Sequence, residues 1–165
     1  MFKRTSILIL ILGLLLPIIP LKAQEKQAYK VGLVGFYNLE NLFDTIDDPN
    51  KNDEEFLPNG ANQWNTEKYT TKLHNMAYSI STIGTDITPD GVAVLGLSEM
   101  ENRTVLEDLV AQPEIKDRNY QIVHYDSPDR RGVDVGLIYN PKYFKVTSTK
   151  SYRTIVPGQP DFITR

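Results

Sequence analysis

The stretch Gly91–Met100, GVAVLGLSEM, is the strongest constraint on how this chain can fold. Val92–Leu97 is apolar at successive positions, not alternate ones, so both faces of the strand it forms need cover. Asp90-Gly91 supplies the turn ahead of it. Such a strand belongs in the middle of a sheet, yet it runs directly into Glu99 and Glu101. A carboxylate at the mouth of a buried strand is partly desolvated, costly alone and cheaper beside a cation. Taken by themselves, the plainer reading of both glutamates is that they face water.

The remaining chain supplies the context. Residues 1–23 read as a secretory leader: Lys3 and Arg4 form a basic start, Ile7–Leu16 an apolar run broken by Pro17 and Pro20, and Ala23 precedes polar Gln24 as a cleavage site. The apolar run is too short for a span of about 20 residues, so no stable membrane span is expected once the leader is removed. The chain has no cysteine, which excludes disulfides and a lipid carried on cysteine at the cleavage site. Export to a bacterial periplasm or outside the cell is the expected location. Of the 18 basic residues, three lie in the leader; the other 15 face 21 acidic residues, a balance of −6. That is a poor footprint for a protein that grips nucleic acid through many Lys/Arg–phosphate contacts, and a phosphate-ester substrate would need a metal ion to supply much of the positive charge.

After the linker 24–30, Val31–Tyr37 reads as a first strand running into Asn38-Leu39-Glu40-Asn41. Asp44–Gln63, with Pro49, Pro58 and Gly60, reads as a loop. Within it, Asp48–Asp53 has the opening of a calcium loop but lacks glycine at the sixth position and glutamate at the twelfth, and is read as a solvated overhang. Tyr69, Leu73, Met76, Ala77, Ile80 and Ile83 recur at helical spacing, capped by Asn65 or Thr66 and stopped at Gly84. Val105, Leu106, Leu109 and Val110 predict a short helix ended by Pro113. Tyr120–Tyr125, Val133–Tyr139 and Tyr143–Arg153 predict three further strands. Strand, helix, strand, helix and successive strands make a mixed α/β (α+β) domain.

Three polar clusters flank these strands: Asn38/Glu40, Glu99/Glu101 and the Ser127–Arg131 loop. Loops converge on ligands at strand ends, and oxygen-only side chains suit hard cations. A structural zinc site is disfavoured by the lack of cysteine and the presence of only two histidines, His74 and His124. Both histidines read as structural, with exposure the alternative for His124. Asn102-Arg103-Thr104 is a formal glycosylation sequon, discounted beside a bacterial leader.

FYNLENLF, LGLSEMEN and SPDRRGVDVGLIYN, in this order and spacing, resemble the endonuclease/exonuclease/phosphatase superfamily, the DNase I-like metal-dependent phosphodiesterases. The likeness runs from about Val31 to Arg165 and is nearest to the exported branch labelled endonuclease. It implies a four-layer sandwich of two packed mixed β-sheets with outer helices, of which residues 31–165 supply the N-terminal part, about half. It further implies Mg²⁺ (or Mn²⁺) held by Glu99, Asn38 and Glu40, with Glu101 orienting the loop or solvated. Glu101 as ligand with Glu99 as spacer is the alternative register.

Arg131 and Arg130 are candidates to meet substrate phosphate through forked hydrogen bonds, a solvated hairpin tip being the alternative, more so for Arg130. The family's Asn-x-His, Asp-x-Asn and Ser-Asp-His motifs do not occur here, so its catalytic base and acid are expected beyond Arg165. If the chain were the whole protein, an open apolar sheet face, poor solubility and little turnover would follow. The expected function is an exported endonuclease or other phosphodiesterase. The alternatives are action on phospholipid head groups or small phosphoesters, and a non-catalytic binding fragment.

Overall fold

The structure, a computed structural model, describes residues 29–159; the expected leader 1–23, most of the linker 24–30 and the terminal residues 160–165 lie outside the described residues. The chain divides into two units, Met1–Lys30 and Val31–Arg165, and every described strand and helix belongs to the second. Four strands, β1 (Leu33–Leu42), β2 (Val92–Met100), β3 (Gln121–Tyr125) and β4 (Asp134–Tyr139), form one sheet in the order β1-β2-β4-β3. The run that is apolar on both faces is indeed internal. β2 pairs parallel with β1 and antiparallel with β4, and β4 pairs antiparallel with β3. A parallel pair requires a crossover, supplied by helix α1 (Thr66–Thr82). This mixed sheet with few helices is consistent with part of a DNase I-like fold.

α1 forms where its sequence predicts. The Asn65 side chain caps it by accepting from the Lys68 N–H at 3.0 Å, and Glu67 in the first turn favours the positive helix end. Tyr69, Leu73, Ala77 and Ile80 make its buried stripe. Gly84, at φ +72°, ends it in the left-handed region, where a Cβ would also meet the Leu33 side chain at 2.0 Å. Arg118 then ties down the last turn by donating to the Ile80 and Ser81 carbonyls. α2 (Arg103–Val110) follows β2 directly, capped by the Asn102 side chain on the Val105 N–H. The two helices are joined by a 2.7 Å hydrogen bond from the Tyr69 hydroxyl to Asp108, and burial followed by that carboxylate raises the Tyr69 phenol well above its ordinary value.

Both helices cover one face of the sheet. Leu39, Leu95, Leu97 and Ile138 from the strands pack there with Leu73, Ile80, Leu106 and Leu109. On the opposite pleat side, Val34, Phe36 and Val135 are 73%, 69% and 45% exposed.

Three sequence expectations need correction. The first strand runs on from Tyr37 to Leu42, because a bulge lets Leu42 pair with Met100 after the Asn38–Ser98 pair. Tyr143–Arg153 is not a strand: it is rich in β-formers but finds no ladder on either edge of the sheet, and Phe144, Val146 and Tyr152 are exposed. The Asp48–Asp53 loop is not wholly solvated, since Asp53 is buried and accepts the Asp48 N–H at 3.1 Å.

Candidate metal and phosphate site

At the C-terminal ends of β1 and β2, Asn38 stands in register with Ser98, one residue before Glu99. Beyond this pair three residues of β1 oppose one of β2, and the backbone turns left-handed at Glu40 (φ 49°), Asn41 (φ 60°) and Glu99 (φ 61°). None is glycine, so each costs free energy of order 1 kcal/mol or more, and such strain collects where a site is being shaped. The Asn38 side-chain oxygen accepts the Glu40 N–H at 2.8 Å, closing a tight turn that keeps both residues at the strand end. Asn38 and Glu40 are exposed and Glu99 is half-buried.

Lys72, one residue before Leu73 of the buried stripe of α1, reaches across to this end of the sheet. Its ammonium donates to the Glu40 carbonyl at 2.5 Å and the Asn41 carbonyl at 3.2 Å, and it lies 5.5 Å from the centre of the Trp64 ring. Burial lowers its pKa, while the charges of Glu40 and Glu99 oppose that shift. Trp64 is itself fixed by donating to the Phe43 carbonyl at 2.9 Å, and Phe56 stacks on Phe43 at 4.0 Å.

The loop between β3 and β4 supplies the arginines. Asp129 receives the Arg131 backbone N–H at 2.8 Å and its guanidinium at 3.1 and 3.3 Å, so the fork expected to meet phosphate is held by a carboxylate. That bond raises the Arg131 pKa further, with a smaller contribution from the charge of Glu99, which brings Arg131 within electrostatic range of the strand end. Arg130 is exposed, and its carbonyl accepts the Asn52 N–H at 2.8 Å. Gly132, at φ +73°, closes the turn by donating to the Asp129 carbonyl. Thus Asn38, Glu40 and Glu99 lie at neighbouring strand ends, the charges of Glu40 and Glu99 both act on Lys72, that of Glu99 acts on Arg131, and Arg130 serves the loop through its backbone.

Glu101 goes elsewhere. It is 6% exposed, accepts the Asp44 N–H at 2.8 Å, and lines a pocket of about 320 Å³ with Asp44, Asp47, Asp48, Asp126, Asp134 and Lys51. Burial raises its pKa to about 7 against the lowering effect of the Asp44 N–H, with the charges of Asp44, Asp53 and Asp48 adding to the rise. It orients the loop, as one expectation had it, and is not solvated. Asn102 completes the link by donating to the Asp44 carboxylate at 3.1 Å.

The histidines separate. His74 is exposed and ion-paired to Glu114 at 2.7 Å. His124 is not exposed: its side chain is 4% accessible, with Nε2 at 2.9 Å from Asp134. Sequence reading passed over this pair and Lys72. Counting back from the ends of the Asp126–Val133 loop would have set residues 124–125 against 134–135; Lys72 carries no local signal.

No curated protein and no solved structure matches the chain. A family model, described as the Endonuclease/Exonuclease/phosphatase family, matches residues 33–165. That span contains both strand ends, the arginine loop and α1, and the chain belongs to the endonuclease/exonuclease/phosphatase family, a hydrolase superfamily of nucleases, phosphodiesterases and phosphatases.

Proposed function

We propose that this chain is an exported, Mg²⁺-dependent phosphodiesterase whose leading substrate class is nucleic acid. One observation carries the reading: Asn38 pairs in register with Ser98 on the adjacent parallel strand, which sets Glu99 one residue beyond, with Glu40 in the turn and Arg131 within electrostatic range of Glu99. The donor set is all oxygen, which fits Mg²⁺ or Mn²⁺ and does not call for a softer ion. Bound there, the ion would polarise a phosphate and offset the charge that develops on it.

The chain's own residues prepare that place. Asn38 keeps an oxygen lone pair beyond its bond to the Glu40 N–H. Lys72 holds the left-handed Glu40-Asn41 pair by its carbonyls. Arg131 is poised to exchange Asp129 for a substrate phosphate, since the guanidinium fork bonds two oxygens of a carboxylate or of a phosphate alike. The leader-like residues 1–23 support export, and no described helix is long and apolar enough to cross a membrane.

The balance of −6 outside the leader supports a second reading, in which phospholipid head groups or small phosphoesters replace duplex DNA. The purified chain should hydrolyse bis(p-nitrophenyl) phosphate with Mg²⁺, and Glu99→Gln should lower that turnover by on the order of 10². Salt-sensitive plasmid nicking selects nucleic acid, and head-group release selects lipid. Mg²⁺ binding without turnover of any of the three would leave a binding fragment and sink the enzymatic reading of this chain.

A further inference from the structure

We propose that His124, Asp126 and Asp134 form a second divalent-cation site, at the rim of the acidic pocket, suited to a transition ion such as Zn²⁺. The register of the β3–β4 hairpin builds it. His124 lies directly opposite Gly136, which has no side chain, so the imidazole reaches diagonally across to Asp134 on the same pleat side. The two meet at 2.9 Å between Nε2 and Oδ2, with side chains only 4% and 2% accessible. Asp126, exposed at the start of the loop, completes the set: one ligand atom from each of the three lies within 4.8 Å of the others.

The separation suits shared coordination as well as a hydrogen bond. An ion about 2.1 Å from both Nε2 and Oδ2 would subtend roughly 90° between them, so the two atoms need part by only about half an ångström to reach the tetrahedral angle that Zn²⁺ favours. The second Asp134 oxygen accepts the Ser127 N–H at 2.8 Å, the kind of outer contact that orients a ligating carboxylate. An imidazole in the set favours Zn²⁺, Cu²⁺ or Ni²⁺ over Mg²⁺ and Ca²⁺.

A second observation is independent of the triad. Asp126 and Asp134 open onto the pocket with Asp44, Asp47, Asp48 and Glu101, six carboxylates with Lys51 as the single cation in its lining. Behind them Asp53, whose charge acts on Glu101, is 1% exposed, and its Oδ1 is buried with no hydrogen-bond partner. A buried carboxylate oxygen without a donor is expensive, and the potential of so many carboxylates gathers cations. No residue of the Asn38–Glu40–Glu99 cradle lines this pocket, so the proposal does not rest on the hydrolytic reading. Its consequence is that an ion here would pin both ends of the loop that carries Arg131.

The test is Zn²⁺ alone, added to the full chain and followed by calorimetry and by the ring-proton NMR signals of its two histidines. One equivalent should shift the His124 signals and leave His74 unmoved. Asp126→Asn, an exposed change that spares the fold, should weaken Zn²⁺ by about tenfold or more, since even outer-shell partners cost that much. Glu99→Gln should leave Zn²⁺ affinity within about twofold, as expected for a ligand outside the shell. An unmoved His124 at 1 mM Zn²⁺, or wild-type affinity in Asp126→Asn, would reduce the cluster to a hydrogen-bonded His–Asp pair. Loss of the His124 shift in Glu99→Gln would assign the ion to the cradle instead.

Discussion

Glu99 and Glu101 stand two residues apart, and the surroundings they enter have little in common. Glu99 sits half-buried at the strand end, on a backbone turned to φ 61°, within electrostatic range of Lys72 and Arg131. Glu101 is buried among carboxylates and held by one backbone N–H. The first surroundings hold a carboxylate beside cations and keep it reachable; the second make a negative charge costly. Strict alternation would have put the two side chains on one face of β2. The left-handed backbone at Glu99 itself and the bulge opposite break that alternation, and one acidic motif becomes two sites.

The sharpest way to break this contrast is Glu99→Gln. Removing one charge from the cradle should weaken Mg²⁺ and lower phosphodiester turnover by on the order of 10², the scale of losing one electrostatic contact to the reacting group. Stability should change by no more than about 0.5 kcal/mol, because the side chain is not part of the core. Calorimetry, steady-state rates and urea melts would check all three. If Glu101→Gln had the larger effect on Mg²⁺, the roles of the two glutamates would be reversed.

Lys72→Met attacks the cradle from behind. The two carbonyls of the Glu40-Asn41 pair lose a charged donor, so the expected cost is about 1.5–2.5 kcal/mol of unfolding free energy in urea melts. A cost below about 0.5 kcal/mol would mean that the left-handed turn holds itself.

The pocket is addressed by pH. The ordinary Glu101 value of 4.5 is raised to about 7 in the folded chain, first by burial. Below pH 4.5 both states are protonated and there is no penalty; between 4.5 and 7 the unfolded chain releases its proton first, so stability falls as pH rises, and above 7 the penalty is constant. In chelator, Glu101→Gln should therefore be neutral at pH 4.5 and stabilising at pH 8, by about 1–2 kcal/mol after allowing for solvent in the pocket. Equal melting temperatures for the two proteins at pH 8 would show that Glu101 ionises there at no cost.

What was legible in the sequence follows the range of the forces involved. The placement of β2, the stripe of α1 and its Asn65 cap rest on pattern and local hydrogen bonds, and these survive folding unchanged. Tyr143–Arg153 was misread because β-propensity reports a surface that fits a sheet, not the presence of a neighbour to pair with. Asn38 and Glu99 were legible as strand-end polar residues within a family motif. The left-handed turns at Glu40, Asn41 and Glu99 were not, since no glycine marks them. The approach of Lys72, the burial of Asp53 and the His124–Asp134 contact depend on how α1, the Asp48–Asp53 loop and the hairpin pack. The first two are tertiary outcomes with no signature in their own neighbourhood, and the third is fixed only once the hairpin register is set.

Asn102 tests whether the pocket is tied to the scaffold or merely beside it. Its side-chain oxygen caps α2 at 3.1 Å and its amide nitrogen donates to Asp44 at 3.1 Å, so one residue links helix, strand end and acidic loop. Loss of the cap alone in Asn102→Ala should cost about 1 kcal/mol. The link to Asp44 predicts more than additivity: a cycle with Asp44→Ala should show a coupling of about 0.5–1 kcal/mol, as residues sharing a hydrogen bond do. Coupling of that size would also explain why Asp44 tolerates Glu101 nearby, because the amide shares part of its charge. A coupling of zero would make Asn102 a cap only, and would leave the carboxylates of the pocket to be balanced by Lys51 and whatever cation they gather.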